Sequence, residues 1–165
     1  MATQQPFQAF LDEHRAPVLS FLRAMVGPVD ADDVFQETFI AALRAYRRMD
    51  GRHPRAWVLT IARRKAIDHH RARARRPVPR DDVVELSDRT PAESGHGEEE
   101  REIWTAVAGL SAAQRAAIAL RYAAELPYRE IGTALGCSEE AARRRVHDGL
   151  RALRARFENR QEATR

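Results

Sequence analysis

Residues 127–150 read "PYREIGTALGCSEEAARRRVHDGL", and their punctuation decides the fold. Pro127 opens a short helix whose Tyr128, Ile131 and Leu135 share one side. Gly136 supplies a left-handed stop. Ser138 caps a second, longer helix with Val146, Leu150, Leu153 and Phe157 as its apolar stripe. Short helix, tight turn, longer helix is the helix-turn-helix pattern, and Gly132 lets the two helices approach closely. Such a pair sets the N-terminal turns of its second helix at base edges in a DNA major groove. Arg144, His147, Arg151 and Arg154 lie opposite the apolar stripe, and the first turns expose Ser138, Glu139, Glu140 and Arg143. Arginine bridges guanine O6 and N7, and glutamate accepts from cytosine N4, so these are candidate readers of duplex DNA. The bland reading is a solvated charged face. Cys137 is expected to fill the core of the turn.

Working outward, the rest of the chain is helical too. Of 165 residues, 44% are hydrophobic but only 7% aromatic, and the alternating Val-Ile-Thr-Tyr runs that mark strands are nearly absent. Ser111 and Gln114 form a capping box ahead of "AAIALRY". Near the N-terminus one helix covers about residues 7–26. A second is expected to start with Asp30 as N-cap, with Asp32 and Asp33 at the positive end of its dipole. Phe35, Phe39, Ala42 and Tyr46 then make a buried stripe. A third begins near Pro54 and runs to about Arg75. The fold class is all-α.

Charge divides this chain. It is basic overall, with net charge +4 and a pI near 9.9, which implies an anionic partner. Arg52–Arg76 holds nine Arg or Lys against the single acid Asp68, whereas Asp81–Glu102 holds nine acids against two Arg. The stretch 75–100, "RRPVPRDDVVELSDRTPAESGHGEEE", also carries Pro77, Pro79, Pro91, Gly95 and Gly97 and too few large apolar residues for a core. It reads as a flexible acidic linker over 77–98 between two small helical domains, 1–76 and 99–160.

Two further faces stand out. In "DADDVFQETF", residues 30–39, four acids and an amide gather on a helix of a basic protein. Asp32, Asp33, Gln36 and Glu37, backed by Phe39, suit a basic protein surface better than phosphates. In the third helix Trp57, Thr60, Arg64, Asp68 and Arg71 share one face. An aromatic beside cations is what unpaired bases need, but helical spacing leaves Trp57 equally open as a core anchor. Val58, Ile61, Ala62 and Ala66 cover the other side. Catalysis is poorly supported. Neighbouring His69 and His70 point to different sides of a helix, no glycine-rich phosphate loop occurs, and Cys137 lacks an activating partner. Neither a metal nor a cofactor is expected. One cysteine excludes an internal disulfide and fits a reducing compartment. No apolar run reaches membrane-spanning length and the N-terminus carries no secretory signal, so a cytoplasmic location is expected.

Residues 30–76, "DADDVFQETFIAALRAYRRMDGRHPRAWVLTIARRKAIDHHRARARR", closely resemble region 2 of the bacterial sigma-70 family of sigma factors. Residues 110–154, "LSAAQRAAIALRYAAELPYREIGTALGCSEEAARRRVHDGLRALR", resemble region 4. Holding only those two regions, the chain resembles a group IV, or extracytoplasmic-function (ECF), sigma factor. The resemblance implies a three- to four-helix bundle followed by a helix-turn-helix domain, and a non-enzymatic subunit that binds core RNA polymerase and directs promoter recognition and melting. Asp32, Asp33, Gln36, Glu37 and Phe39 match the stretch that binds the beta-prime clamp helices. Arg52, His53, Arg55, Trp57, Arg63, Arg64, Asp68 and Arg71 fall in the minus-ten reader. Ser138, Glu139, Glu140, Arg143, Arg144, His147 and Arg151 fall in the minus-thirty-five reader, in a region that also contacts the beta flap. The family admits an anti-sigma factor as a further partner. Two departures bear on promoter choice: Pro127 stands where relatives often have Ser or Thr, and Ala141-Ala142 where Thr-Val is common. The promoter sequence therefore cannot be copied from relatives. The competing reading is a stand-alone DNA-binding regulator that uses the last two helices alone.

Overall fold

The computed structural model describes residues 5–75 and 97–163. Among them every regular element is helical. Helix α1 (Phe7–Val26) buries Phe10, His14, Val18, Phe21, Leu22 and Met25 at three- and four-residue spacing, which makes one continuous apolar face. It stops at Gly27, whose φ of 85° is favourable for glycine. The Gly27 N–H closes the last turn on the Arg23 carbonyl at 3.0 Å.

Helix α2 (Pro28–Ala45) begins directly after that glycine. This corrects the expected N-cap at Asp30. Pro28 occupies the first helical position, where its missing N–H costs nothing, so Asp30 lies inside the first turn. Its carboxylate pairs instead with Arg73 and lies 3.2 Å from Nε2 of His69, both on α3 (Pro54–Arg75). A 3₁₀ turn, Tyr46–Arg48, follows α2. Phe7, Phe10, Phe39, Tyr46 and Trp57 form an aromatic cluster linking the three helices. Its ring centroids lie 5.1 Å apart for Phe7–Tyr46 and 5.9 Å apart for Phe10–Trp57, both edge to face. Such pairs contribute about 0.5–1.5 kcal/mol beyond their burial. The Tyr46 hydroxyl donates to the Gln5 carbonyl at 2.9 Å and ties the N-terminus to the bundle.

The second lobe comprises α4 (Glu98–Ala108), α5 (Ala112–Ile118), a wide π-type turn at Ala119–Ala123, α6 (Tyr128–Leu135) and α7 (Glu139–Ala163). The expected linker falls on residues outside those described, apart from its last two, where Gly97 caps α4. Ser111 caps α5, its hydroxyl accepting from the Gln114 N–H at 3.4 Å. Gly136 is left-handed, at φ 65° and ψ 39°. A side chain on Gly132 would meet the Cys137 carbonyl oxygen at 2.7 Å, so the tight turn depends on its absence. The buried face of α7 is Ala142, Val146, Gly149 and Leu153. Leu150, expected in that stripe, is 39% exposed. The reason is steric: α7 comes so close to α5 that a Cβ on Gly149 would lie 2.9 Å from Ile118 Cγ1. Glycine therefore takes the inward position and turns Leu150 to the rim.

The two lobes lie against one another. Helix α1 packs on the Ala119–Ala123 turn, and α3 packs on α6. Core residues from both lobes form one connected apolar cluster.

Candidate protein-binding and nucleic-acid interfaces

Three faces carry the candidate residues. On α2, Ala31, Val34, Thr38, Phe39 and Ala42 turn inward, and the buried Thr38 hydroxyl is satisfied by the Val34 carbonyl at 2.7 Å. Asp32, Asp33, Gln36 and Glu37 turn outward. Phe39 does not join them. It is 5% exposed and packs with its ring tilted against that of Phe35 at 4.7 Å, so it supports the face from behind. Sequence reasoning missed the face's apolar members, Ile40 at 51% and Leu43 at 55% exposure, with Val29 at its start. Val29, Asp33, Gln36, Ile40 and Leu43 recur at i, i+4, i+7, i+11 and i+14. This second stripe, displaced from the buried one, was the available signal. Glu37 reaches Lys65 of α3 at 3.5 Å.

On α3 and the loop before it, the candidate residues divide. Arg52, Arg64, Asp68 and Arg71 are exposed. His53, Arg55 and Arg63 are partly covered by the second lobe. His53 Nδ1 lies 3.8 Å from a Glu130 carboxylate oxygen on α6. Arg55 donates to the Ala124 carbonyl. Burial lowers the Arg63 pKa, and the positive charges of Arg64 and Arg145 lower it further. Trp57 is half-buried and packs edge to face with Phe10, so it has a core contact along with remaining open surface.

On α7, the hydroxyl of Ser138 caps the helix by accepting from the Ala141 N–H at 3.1 Å. Arg143 pairs with Glu139 at 3.2 Å and lies over the Tyr128 ring at 4.5 Å. Arg144 reaches Glu140 at 3.8 Å, Arg151 reaches Asp148 at 3.6 Å, and His147 is exposed beside them. These are surface pairs of little energetic weight, so Arg144 and Arg151 are free to exchange carboxylates for a nucleic acid. Cys137 is half-buried, and its sulfur accepts from Arg145 at 3.4 Å. No group of His, Cys, Asp and Glu with metal-binding geometry occurs among the described residues.

An acidic-apolar face and a helix-turn-helix in one small chain agree with the comparisons to known proteins. Residues 10–76 match the model of Sigma-70 region 2, and residues 106–155 match that of Sigma-70, region 4. The chain belongs to the sigma-70 family. Its curated relatives place it in the ECF group. It is 35% identical over 155 residues to the ECF RNA polymerase sigma factor SigL of Mycobacterium tuberculosis, covering 89% of this chain and 86% of that protein. It is 32% identical over 165 residues to the ECF RNA polymerase sigma factor SigX of Bacillus subtilis, covering 94% and 85%. Among solved structures, the fold is similar to the sigma factor RpoE from Bartonella quintana, crystallised with the anti-sigma factor NepR. The TM-score is 0.73 at 22% identity, over 92% of this chain and 96% of that one. It is also similar to CnrH in complex with the cytosolic domain of CnrY, with a TM-score of 0.69 at 23% identity over 96% and 91%. As in an ECF sigma factor, the helix-turn-helix is C-terminal to the acidic α2 and the basic α3. No described helix is long and apolar enough to cross a membrane.

Proposed function

We propose that this ECF sigma factor uses three separate faces for three tasks. The outward row Asp33, Gln36, Ile40 and Leu43 on α2, with Asp32 and Glu37 at its edge, docks core RNA polymerase at the beta-prime clamp helices. Arg52, His53, Arg55, Trp57, Arg63, Arg64, Asp68 and Arg71 bind and open the minus-ten element. Ser138, Glu139, Glu140, Arg143, Arg144, His147 and Arg151 address the minus-thirty-five element in the major groove. Residues 1–76 then form one functional unit and 99–160 the other. The protein carries out no chemistry of its own, acts in the cytoplasm beside the polymerase, and is open to control by an anti-sigma factor, as RpoE of Bartonella quintana is bound by NepR.

The observation that supports this best is the α2 row. It joins exposed apolar side chains to acids, a combination that phosphates repel and a basic protein groove accepts. A stand-alone duplex regulator has no use for it. The test is a pull-down on purified core polymerase with Asp33→Arg combined with Glu37→Arg, followed by run-off transcription. Loss of core binding with retained helicity and retained duplex affinity is the expected result. Binding that survives the double reversal at moderate salt would remove the docking assignment and restore the stand-alone regulator.

A further inference from the structure

Two adjoining clefts between the lobes carry a charge imbalance that neither polymerase docking nor base reading requires. One, of about 530 Å³, lies between the end of α1 and α4 and has Trp104 and Tyr122 in its wall beside Arg23 and Arg101. The other, of about 650 Å³, lies between α3 and the helices α5, α6 and α7 and is lined by Arg63, Arg71 and Arg145. Met25, His70 and Arg115 line both. Six arginines thus line one space, and no Asp or Glu does, although the chain holds 24 acids.

Nothing in the fold repairs this imbalance. Among the described residues no carboxylate lies within ion-pairing distance of Arg63, Arg71, Arg115 or Arg145. Arg115 donates to the Ala108 and Leu110 carbonyls and Arg145 to the Cys137 sulfur, partners that hold a guanidinium without neutralising it. The Nε atoms of Arg63 and Arg115 are buried without a hydrogen-bond partner. Burial holds the pKa of both side chains below the ordinary arginine value. Charges withdrawn from water are as a rule paired, so the arginine-lined end favours a multiply charged anion.

The other end narrows the class. Trp104 and Tyr122 stand there with Ala24, Met25 and Pro28, a wall that suits a flat ring. Clefts of this size take small molecules. We propose that the space between the lobes binds a nucleoside polyphosphate, its base against Trp104 and Tyr122 and its phosphates among Arg63, Arg71, Arg115 and Arg145. These arginines come from α3, α5 and α7, so a bound nucleotide joins the lobes and stabilises the packed chain by mass action. Single-stranded nucleic acid offers the same groups, and Arg63 and Arg71 also belong to the minus-ten set. Trp104, Arg115 and Arg145 lie in no DNA-reading set, however, and a space walled by both lobes suits a molecule that ends within it.

The test titrates the full chain calorimetrically with ATP and GTP, and with adenosine and inorganic triphosphate as the two halves of the ligand. At least one nucleotide should bind more tightly than either half and raise the thermal midpoint. Arg145→Gln and Tyr122→Leu should each weaken that binding about tenfold, with helicity by circular dichroism showing that both variants are folded. Arg145→Lys keeps the charge and should recover much of the loss. Arg154→Gln removes the same charge from an exposed part of α7 and should leave binding unchanged. The proposal fails if neither nucleotide binds, if inorganic triphosphate or adenosine binds as tightly, if either folded variant binds like wild type, or if Arg154→Gln weakens binding equally. A short single-stranded oligonucleotide that binds more tightly than the nucleotides, with the same dependence on Arg145 and Tyr122, would assign the cleft to nucleic acid instead.

Discussion

Truncating the exposed apolar pair on α2, Ile40→Ala with Leu43→Ala, is the sharpest probe of the docking surface. Each substitution removes about three carbons, and each side chain stands about half exposed, at 51% and 55%. A buried methylene contributes about 0.8 kcal/mol, so completing the burial of the exposed half contributes about 1 kcal/mol per residue. The pair then accounts for about 2 kcal/mol, or roughly a thirtyfold change in affinity. Fluorescence-detected competition for core polymerase measures this directly. The thermal midpoint should stay near that of wild type, since neither side chain lies in the core. Phe39→Ala supplies the contrast. It empties a site with 5% exposure and should cost about 3–5 kcal/mol of stability while removing no surface group. An Ile40→Ala, Leu43→Ala protein that binds core polymerase within twofold of wild type would refute the argument that this row is buried on docking.

Three other outcomes are expected. Arg144→Ala should weaken binding to a minus-thirty-five duplex by about 1–3 kcal/mol and relax preference at one or two positions; an equal loss across a panel of mobility-shift duplexes would make it a phosphate contact. Gly132→Val should lower stability by about 1–3 kcal/mol through collision with the Cys137 carbonyl; an unchanged melting curve would mean the turn yields freely. His14 is buried against Phe10 at 4.6 Å, and burial holds its pKa below the ordinary value of 6.5. The unfolded chain therefore takes up the proton first, and stability present above pH 6.5 is lost as pH falls toward the folded value. His14→Phe should flatten that part of the melting-temperature profile, and an unaltered acid slope would count against it.

The helices were legible because their signals are local. Pro54 opens α3, Gly136 and Ser138 punctuate the turn, and Phe10, Val18 and Phe21 space themselves along α1. The start of α2 differs from the expected one because Asp30 satisfies the capping preference by type, while Gly27, followed by Pro28 at the first helical position, satisfies it by geometry three residues earlier. Leu150 was assigned inward because periodicity ranks residues by apolarity. The actual inward position is Gly149, chosen by how closely α7 approaches α5 at Ile118, a distance absent from any single helix. Ile40 and Leu43 were passed over for a related reason. An apolar side chain on an amphipathic helix is assigned to the core by default, and although the second stripe of α2 is written in its spacing, the packed bundle decides which of the two stripes is buried. The contact between the lobes was beyond reach, since it depends on Arg55, His53 and Glu130 meeting across distant parts of the chain.

The four acids of α2 do different things, and the difference follows from what lies behind them. Asp30 faces α3, where it pairs with Arg73 and lies close to His69. Glu37 reaches Lys65 through a surface pair that contributes about 0–1 kcal/mol and is easily exchanged. Asp32 and Asp33 have no ion-pair partner among the described residues. The cations of α3 thus neutralise the near side of α2 and leave its far side acidic, so one three-helix bundle presents opposite charge on two faces. A nucleic acid is repelled by the first and drawn to the second, and a basic protein groove meets the reverse. This sorting needs little net binding energy, because charges at an interface rim act mainly on approach rate and partner choice. The apolar pair Ile40 and Leu43 supplies what charge does not, a contact that water must leave. Reversing Asp33 should therefore act chiefly on association rate and its salt dependence. Truncating Ile40 and Leu43 should act chiefly on dissociation, and the two kinetic signatures separate what selects the partner from what holds it.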